Sequence, residues 1–248
     1  RIAQSQSYSA TLSGGSNTTQ YYASLSYNSQ EGVVPNNKYD ALGGSLKLTH
    51  DFNKNLRIFF DVNASIRNDR STASVVNPLE YATFANPYER VYDEDGNWEY
   101  DRSYTNTRSV VKDGYKYDFN IIKDLNENTS KTKYQSGQIS LKLEYKLIEG
   151  LMASVMGTYS NTSSHFMSEL VPGSYSSKLS SWVSGIYDDQ ETPDYLNKGK
   201  MSESNSRSES WTERVQLNYA RGFVNGDHYV NFLVGQEVSS SKGYGFSR

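Results

Sequence analysis

Ile139-Ser140-Leu141-Lys142-Leu143-Glu144-Tyr145-Lys146-Leu147 alternates strictly between apolar and polar side chains. Successive side chains of an extended strand point to opposite faces. Ile139, Leu141, Leu143, Tyr145 and Leu147 therefore share one face, and Ser140, Lys142, Glu144 and Lys146 the other. Only Ile148-Glu149-Gly150 separates this run from a second one, Leu151 to Tyr159. Beyond Tyr159 the alternation is lost for tens of positions and returns near Trp211. Tight joins on one side and long joins on the other are the signature of a transmembrane β-barrel.

Working outward, the same pattern predicts eight strands, at about 4–14, 20–28, 39–52, 56–67, 135–147, 151–159, 210–221 and 228–238. The fourth has the cleanest phase: Leu56, Ile58, Phe60, Val62, Ala64 and Ile66 oppose Arg57, Asp61, Asn63, Ser65 and Arg67. Gly14-Gly15-Ser16-Asn17, Asn53-Lys54-Asn55 and the Asn225-Gly226 pair supply turn chemistry between partners. Most of these runs reach ten residues or more. A globular strand averages about five or six, and a tilted membrane strand needs about 9–11. The two long joins, about 68–134 and 161–208, fall at the same end. A Greek-key sandwich has no reason to keep its long joins together.

Composition agrees with this reading. Only 35% of the 248 residues are hydrophobic, mean hydropathy is -0.74, and no apolar stretch approaches the roughly 20 residues of a membrane helix. That excludes helical spans and leaves barrels open, because a barrel strand needs apolar residues only at alternate positions. A net charge of -3 gives no support to nucleic-acid binding. The absence of cysteine excludes disulfides and thiolate metal sites. The sequence opens on Arg1 without Met or a signal peptide, so it is expected to be an excerpt of a longer polypeptide.

The phase also divides the two faces by environment. With apolar residues toward lipid, Arg57, Asp61, Arg67, Lys142, Glu144 and Arg214 face the lumen, together with Gln138, Thr212, Gln216, Asn218, Asn231 and Glu237. Tyr21, Phe52, Tyr145 and Tyr219 beside short turns, and Tyr27, Tyr159 and Trp211 at the long-loop ends, fit two aromatic girdles. Glu213 breaks the pattern by falling on the outward phase. It is expected either above the membrane or beside a β-bulge that shifts the register.

No catalytic or metal centre emerges. Asp93-Glu94-Asp95-Gly96-Asn97-Trp98-Glu99 places its glycine fourth, where a calcium loop requires it sixth. The stretch instead predicts a small hairpin. Nothing in the sequence supplies Glu99 and Asp101 with the burial context a glycosidase pair requires, and His50, His165 and His228 lie far apart. Neither an enzyme activity nor a cofactor is expected. The long loops carry Trp98, Tyr100, Tyr104, Trp182 and Tyr187. Such aromatics either stack on a substrate and pack against a protein lid, or form the loops' own small cores.

Three stretches resemble the SusC-like (RagA-like) TonB-dependent outer-membrane transporters of Bacteroidetes. Ser13-Gly14-Gly15-Ser16-Asn17, Tyr21-Tyr22-Ala23-Ser24-Leu25-Ser26-Tyr27 and Gln30-Glu31-Gly32-Val33-Val34 match in order and spacing as a block. Asn77-Pro78-Leu79-Glu80-Tyr81-Ala82 with Asn86-Pro87-Tyr88 is similar to an external-loop segment, and Leu233-Val234-Gly235-Gln236-Glu237 to a late strand. The resemblance implies part of a 22-stranded barrel without its plug and TonB box. It also implies a SusD-like lipoprotein partner, coupling to the TonB complex, and import of glycans or oligopeptides. Two alternatives stand beside it. One is a soluble or surface-attached β-sheet module for glycan binding or adhesion. The other is a complete eight-stranded outer-membrane barrel, which the many inward charges oppose.

Overall fold

The computed structural model describes residues 2–101, 104, 119–183, 198–223 and 228–248. Eight strands form one antiparallel sheet in sequential order: β1 (Gln4–Gly15), β2 (Thr19–Glu31), β3 (Lys38–Asp51), β4 (Leu56–Thr72), β5 (Thr129–Ile148), β6 (Leu151–Leu170), β7 (Lys200–Phe223) and β8 (His228–Ser247). Short helices α1 (Pro78–Phe84) and α2 (Ile121–Glu127) lie between β4 and β5, and α3 (Tyr175–Val183) lies between β6 and β7. The all-β antiparallel architecture and its eight strands follow the sequence pattern.

Register confirms the phase. Ile58 lies opposite Leu143, Phe60 opposite Leu141 and Val62 opposite Ile139, while Arg57 lies opposite Glu144 on the other face. The β5–β6 turn relies on Gly150 at φ 83°. A Cβ there would come within 2.8 Å of the Ala220 carbonyl oxygen, so both conformation and space demand glycine.

The strands run further than the alternation reaches. β5 begins at Thr129 rather than about 135, β6 continues to Leu170 rather than 159, β7 starts at Lys200 rather than 210, and β8 ends at Ser247 rather than 238. The joins correspondingly shrink from 68–134 and 161–208 to 73–128 and 171–199. The extensions carry polar side chains on both faces, so the hydropathy contrast vanishes while the backbone ladder continues.

β1 and β8 occupy opposite edges, and among the described residues no ladder joins them. The complete eight-stranded barrel is therefore set aside. Among the described residues the apolar face of the sheet has no second layer: Ile139, Leu141 and Leu143 remain 49%, 45% and 37% exposed. The buried hydrophobic residues lie instead among the loops. Val76, Phe119, Tyr175 and Leu179 form a small core that Tyr81, Tyr104 and Ile121 pack against.

Candidate functional site

The polar face carries charges that neutralise one another. Arg57 forks onto the Asp51 carboxylate, with Nη2 donating to Oδ2 at 3.0 Å. Lys47 Nζ approaches Asp61 at 3.7 Å, and Lys142 Nζ lies 2.6 Å from Glu144. Arg214 pairs with Glu237 on the next strand. Arg67 donates from Nε to Asp69 at 2.7 Å and lies between the rings of Tyr39 and Tyr134, at 5.6 and 5.3 Å. Solvent screens exposed pairs of this kind, so they add little to stability. Their main consequence is a hydrophilic wall of both signs. All six charged residues expected to share a face do so.

Higher on the same face is a shallow hollow of about 490 Å³. Ser65, Tyr134, Ser136, Thr162, Ser208 and Gly243 line it from five consecutive strands. A hollow spanning five strands of a single-layered sheet reflects curvature, and the polar side is the concave one. Small hydroxyl side chains line it, with Ser65 and Ser136 paired across strands at 2.8 Å, and below it on the same face Ser140 pairs with Thr158 at 3.0 Å and Ser160 with Ser210 at 2.7 Å. This hydroxyl field was missed because its β7 part was expected in a loop. The signal was nonetheless present: Ser202, Ser204, Ser206, Ser208 and Ser210 recur with the strand period.

The outward face has aromatics at both ends of its apolar band. Tyr8 faces Tyr27, and Tyr159 faces Trp211; near the short turns Tyr219 faces Phe232. Glu213 is two residues from Trp211 inside this band, between Gly157 and Val238. The register is continuous there, so the expected bulge is absent.

The long loops are tied together. Asp124 and Asn128 are 2% and 0% exposed. Asp124 accepts from Ser74 Oγ at 2.6 Å, Ser176 N at 2.9 Å and Asn128 Nδ2 at 2.8 Å. Asn128 Oδ1 accepts from Val171 N at 2.9 Å and Ser174 Oγ at 3.0 Å. Tyr81 donates its hydroxyl to Asp101 at 2.7 Å; burial, and then that carboxylate, push the hydroxyl's pKa well above the usual phenol value.

The aromatic candidates take different places in these loops. Trp98 stacks on Tyr92 at 4.8 Å, and the two residues form the bridge of the small hairpin closed by Gly96. Tyr100 accepts from Lys123 Nζ at 3.2 Å. Tyr104 packs against Phe119 at 4.4 Å and Tyr81 at 5.1 Å, within the loop core. Trp182 falls on α3, and Tyr187 lies outside the described residues. Asp93 spends its carboxylate on the backbone N–H groups of Asp95 and Asn97, as a turn-forming residue does.

These features define one wall of a β-barrel with its surmounting loops. Comparison with protein-family models and with curated protein sequences finds no match. Among solved structures the chain is similar to the RagAB peptide transporter, with a TM-score of 0.68 and 17% identity over 98% of this chain and 25% of that one. It is also similar to the RagAB peptide importer in the open-open state, with a TM-score of 0.69 and 18% identity over 96% of this chain and 24% of that one. The ferric-catecholate import receptor Fiu from K12 E. coli shares the fold more distantly, with a TM-score of 0.51 and 9% identity over 97% of this chain and 30% of that one. The chain thus spans about a quarter of the length of the RagAB chains it matches. What is shared is the fold of a transporter-type β-barrel segment.

Proposed function

We propose that the chain forms part of the wall and two external loops of a TonB-dependent transporter in the bacterial outer membrane. The parent protein imports glycans or oligopeptides together with a SusD-like lipoprotein. The observation that carries this reading is one uncovered sheet with an apolar, aromatic-edged band outside and a concave, self-neutralised polar face inside. In water such a band is an aggregation liability; in a bilayer it is the lipid contact. Arg57, Asp61, Arg67, Lys142, Glu144 and Arg214 then line the lumen. Trp98, Tyr100, Tyr104, Trp182 and Tyr187 belong to the loops that meet substrate or the lipoprotein. Energy coupling to TonB runs through parts of the parent chain outside these residues, and no covalent chemistry is involved.

This segment has no cysteine of its own, and the test uses a parent transporter with any other cysteine replaced. Single cysteines at Ile58 and Leu143, labelled with a fluorophore in the reconstituted parent transporter, are quenched by brominated lipid. Cysteines at Arg57 and Glu144 are not. Equal quenching at both pairs sinks the membrane reading. For transport, cells bearing the parent chain accumulate a labelled oligopeptide or oligosaccharide only with TonB present. Accumulation without TonB sinks the transporter reading.

Glu213 gives a further expected result. A carboxylate facing lipid is costly, though less so than the roughly 2–4 kcal/mol of a cation at the midplane. Glu213→Leu in the parent chain therefore raises its unfolding free energy in bilayers by about 1–2 kcal/mol, measured by urea titration in liposomes. A loss of stability would mean that Glu213 has a protein partner there.

A further inference from the structure

Four cations stand beyond the apolar band on the side of the long loops. On the outward face of β3, β4 and β5 the apolar run ends at Leu42, Ile66 and Ile139. Further along the same face, toward the long loops, come Lys38, Arg70, Lys131 and Lys133. Register sets Lys38 directly opposite Arg70, and Arg70 directly opposite Lys131. Lys133 follows on the same face of β5. Like charges placed directly across a ladder repel and destabilise it.

Nothing in the sheet offsets this repulsion where it is strongest. Lys38 has Asp40 at 3.6 Å and Glu31 at 3.9 Å. Arg70, Lys131 and Lys133 are exposed, and among the described residues they form no ion pair. The neighbouring outward zone behaves differently. On β6 to β8 most of its polar side chains close on one another, as His165 does with Glu203 at 2.9 Å and Arg207 with Glu209, and Glu169, opposite Thr129, adds a carboxylate diagonal to Lys131 at the edge of the patch. The unbalanced positive charge is therefore confined to β4 and β5, with Lys38 at its margin.

Its height is informative. Arg70 lies four residues beyond Ile66, about 13 Å along the strand or about 10 Å of height at the tilt of a barrel wall, while Lys133 and Lys131 lie six and eight residues beyond Ile139, about 15 and 20 Å of height on the same arithmetic. That zone lies above the Tyr8–Tyr27 pair and beyond an ordinary head-group layer, at the height of the phosphorylated sugars of a glycolipid.

We propose that Arg70, Lys131 and Lys133 bind the phosphate groups of an anionic glycolipid in the outer leaflet. The proposal rests on the outer-membrane reading above. The guanidinium fork of Arg70 suits bidentate phosphate recognition, and the two ammonium groups add point charges. Free phosphate shares this chemistry, but a lipid also lays its acyl chains over the apolar band directly below. That second contact favours the lipid.

The experiment uses the full parent transporter in non-ionic detergent. The probes are bis-phosphorylated lipid A, its dephosphorylated form and inorganic phosphate, read by native mass spectrometry and by thermal unfolding. Each cation near an anionic surface contributes about fivefold, so the Arg70→Gln, Lys131→Gln, Lys133→Gln triple variant loses about a hundredfold in affinity for lipid A. Dephosphorylated lipid A binds the wild type as weakly as lipid A binds the variant. Without lipid the variant unfolds at an equal or higher temperature than the wild type, because like-charge repulsion is gone; with lipid A only the wild type gains.

Equal lipid A retention by variant and wild type overturns the proposal, as does equal binding of the dephosphorylated lipid. Protection by inorganic phosphate as large as that by lipid A overturns the assignment to a lipid. Membrane fractionation of the wild type separates the two readings. A membrane-resident protein indifferent to the substitutions defeats the cationic site alone, and a soluble one defeats both.

Discussion

Refolded alone in detergent, these 248 residues should give no cooperative unfolding transition and no heat-modifiable band, whereas the complete parent barrel should give both. The reason lies at the sheet edges. β1 and β8 are both edge strands and do not pair with each other. Each edge strand of an antiparallel sheet leaves half its backbone groups unpaired, which is about ten groups per edge across a membrane-spanning length of about 9–11 residues. Lipid supplies no partner, and each unsatisfied group costs several kcal/mol. The sum is tens of kcal/mol, against a typical net stability of about 5–15 kcal/mol. Some edges will find one another and yield concentration-dependent oligomers. A monomer with a sharp urea transition and protected edge amides defeats the expectation, because it requires β1 and β8 to close.

The phase of the wall was legible because one face is apolar and the period of a strand is two. Leu56 to Ile66 and Ile139 to Leu147 state which residues share a side, and the observed register only adds which residue faces which. Strand length was legible only within the apolar band. Above it, Lys131, Lys133, His165 and Arg207 sit on the outward face while serine and threonine fill the inward one, and contrast disappears. The short helices escaped because seven to nine residues hold too few turns for a periodic stripe. Their local signals were in plain view: Asn77 before Pro78 caps α1, and Asn120 caps α2. Glu213 shows the opposite error. Its outward phase holds, and of the two expected explanations the β-bulge is absent, the register being continuous there. What no local pattern holds is the union of the loops, because Ser74, Asp124 and Ser176 meet from about fifty residues apart.

That union is where a single substitution has its largest local effect. Asp124→Ala removes the acceptor of four hydrogen bonds, from the Ser74 and Ser176 hydroxyls, the Ser176 N–H and the Asn128 amide. These groups are wholly or partly buried, and an orphaned buried donor costs about 1–3 kcal/mol. The four orphaned donors together cost about 3 kcal/mol or more, with entering water recovering part of the loss. Asn128 also holds Val171 and Ser174, so the loss spreads to the start of the second loop. The sheet keeps its own ladders, and the damage is therefore a local opening rather than global unfolding. In the parent transporter, amide exchange across 171–177 should accelerate about a hundredfold or more, with little change at Leu141 or Val155. Asp124→Asn does not rescue the loops, because its Nδ2 would face donors where the carboxylate met them with an acceptor. Asp93→Ala serves as the control: that carboxylate also accepts two backbone hydrogen bonds, but in an exposed turn, where water replaces them. Unchanged exchange in Asp124→Ala would show that the aromatic core of Phe119, Tyr175 and Leu179 alone holds the two loops together.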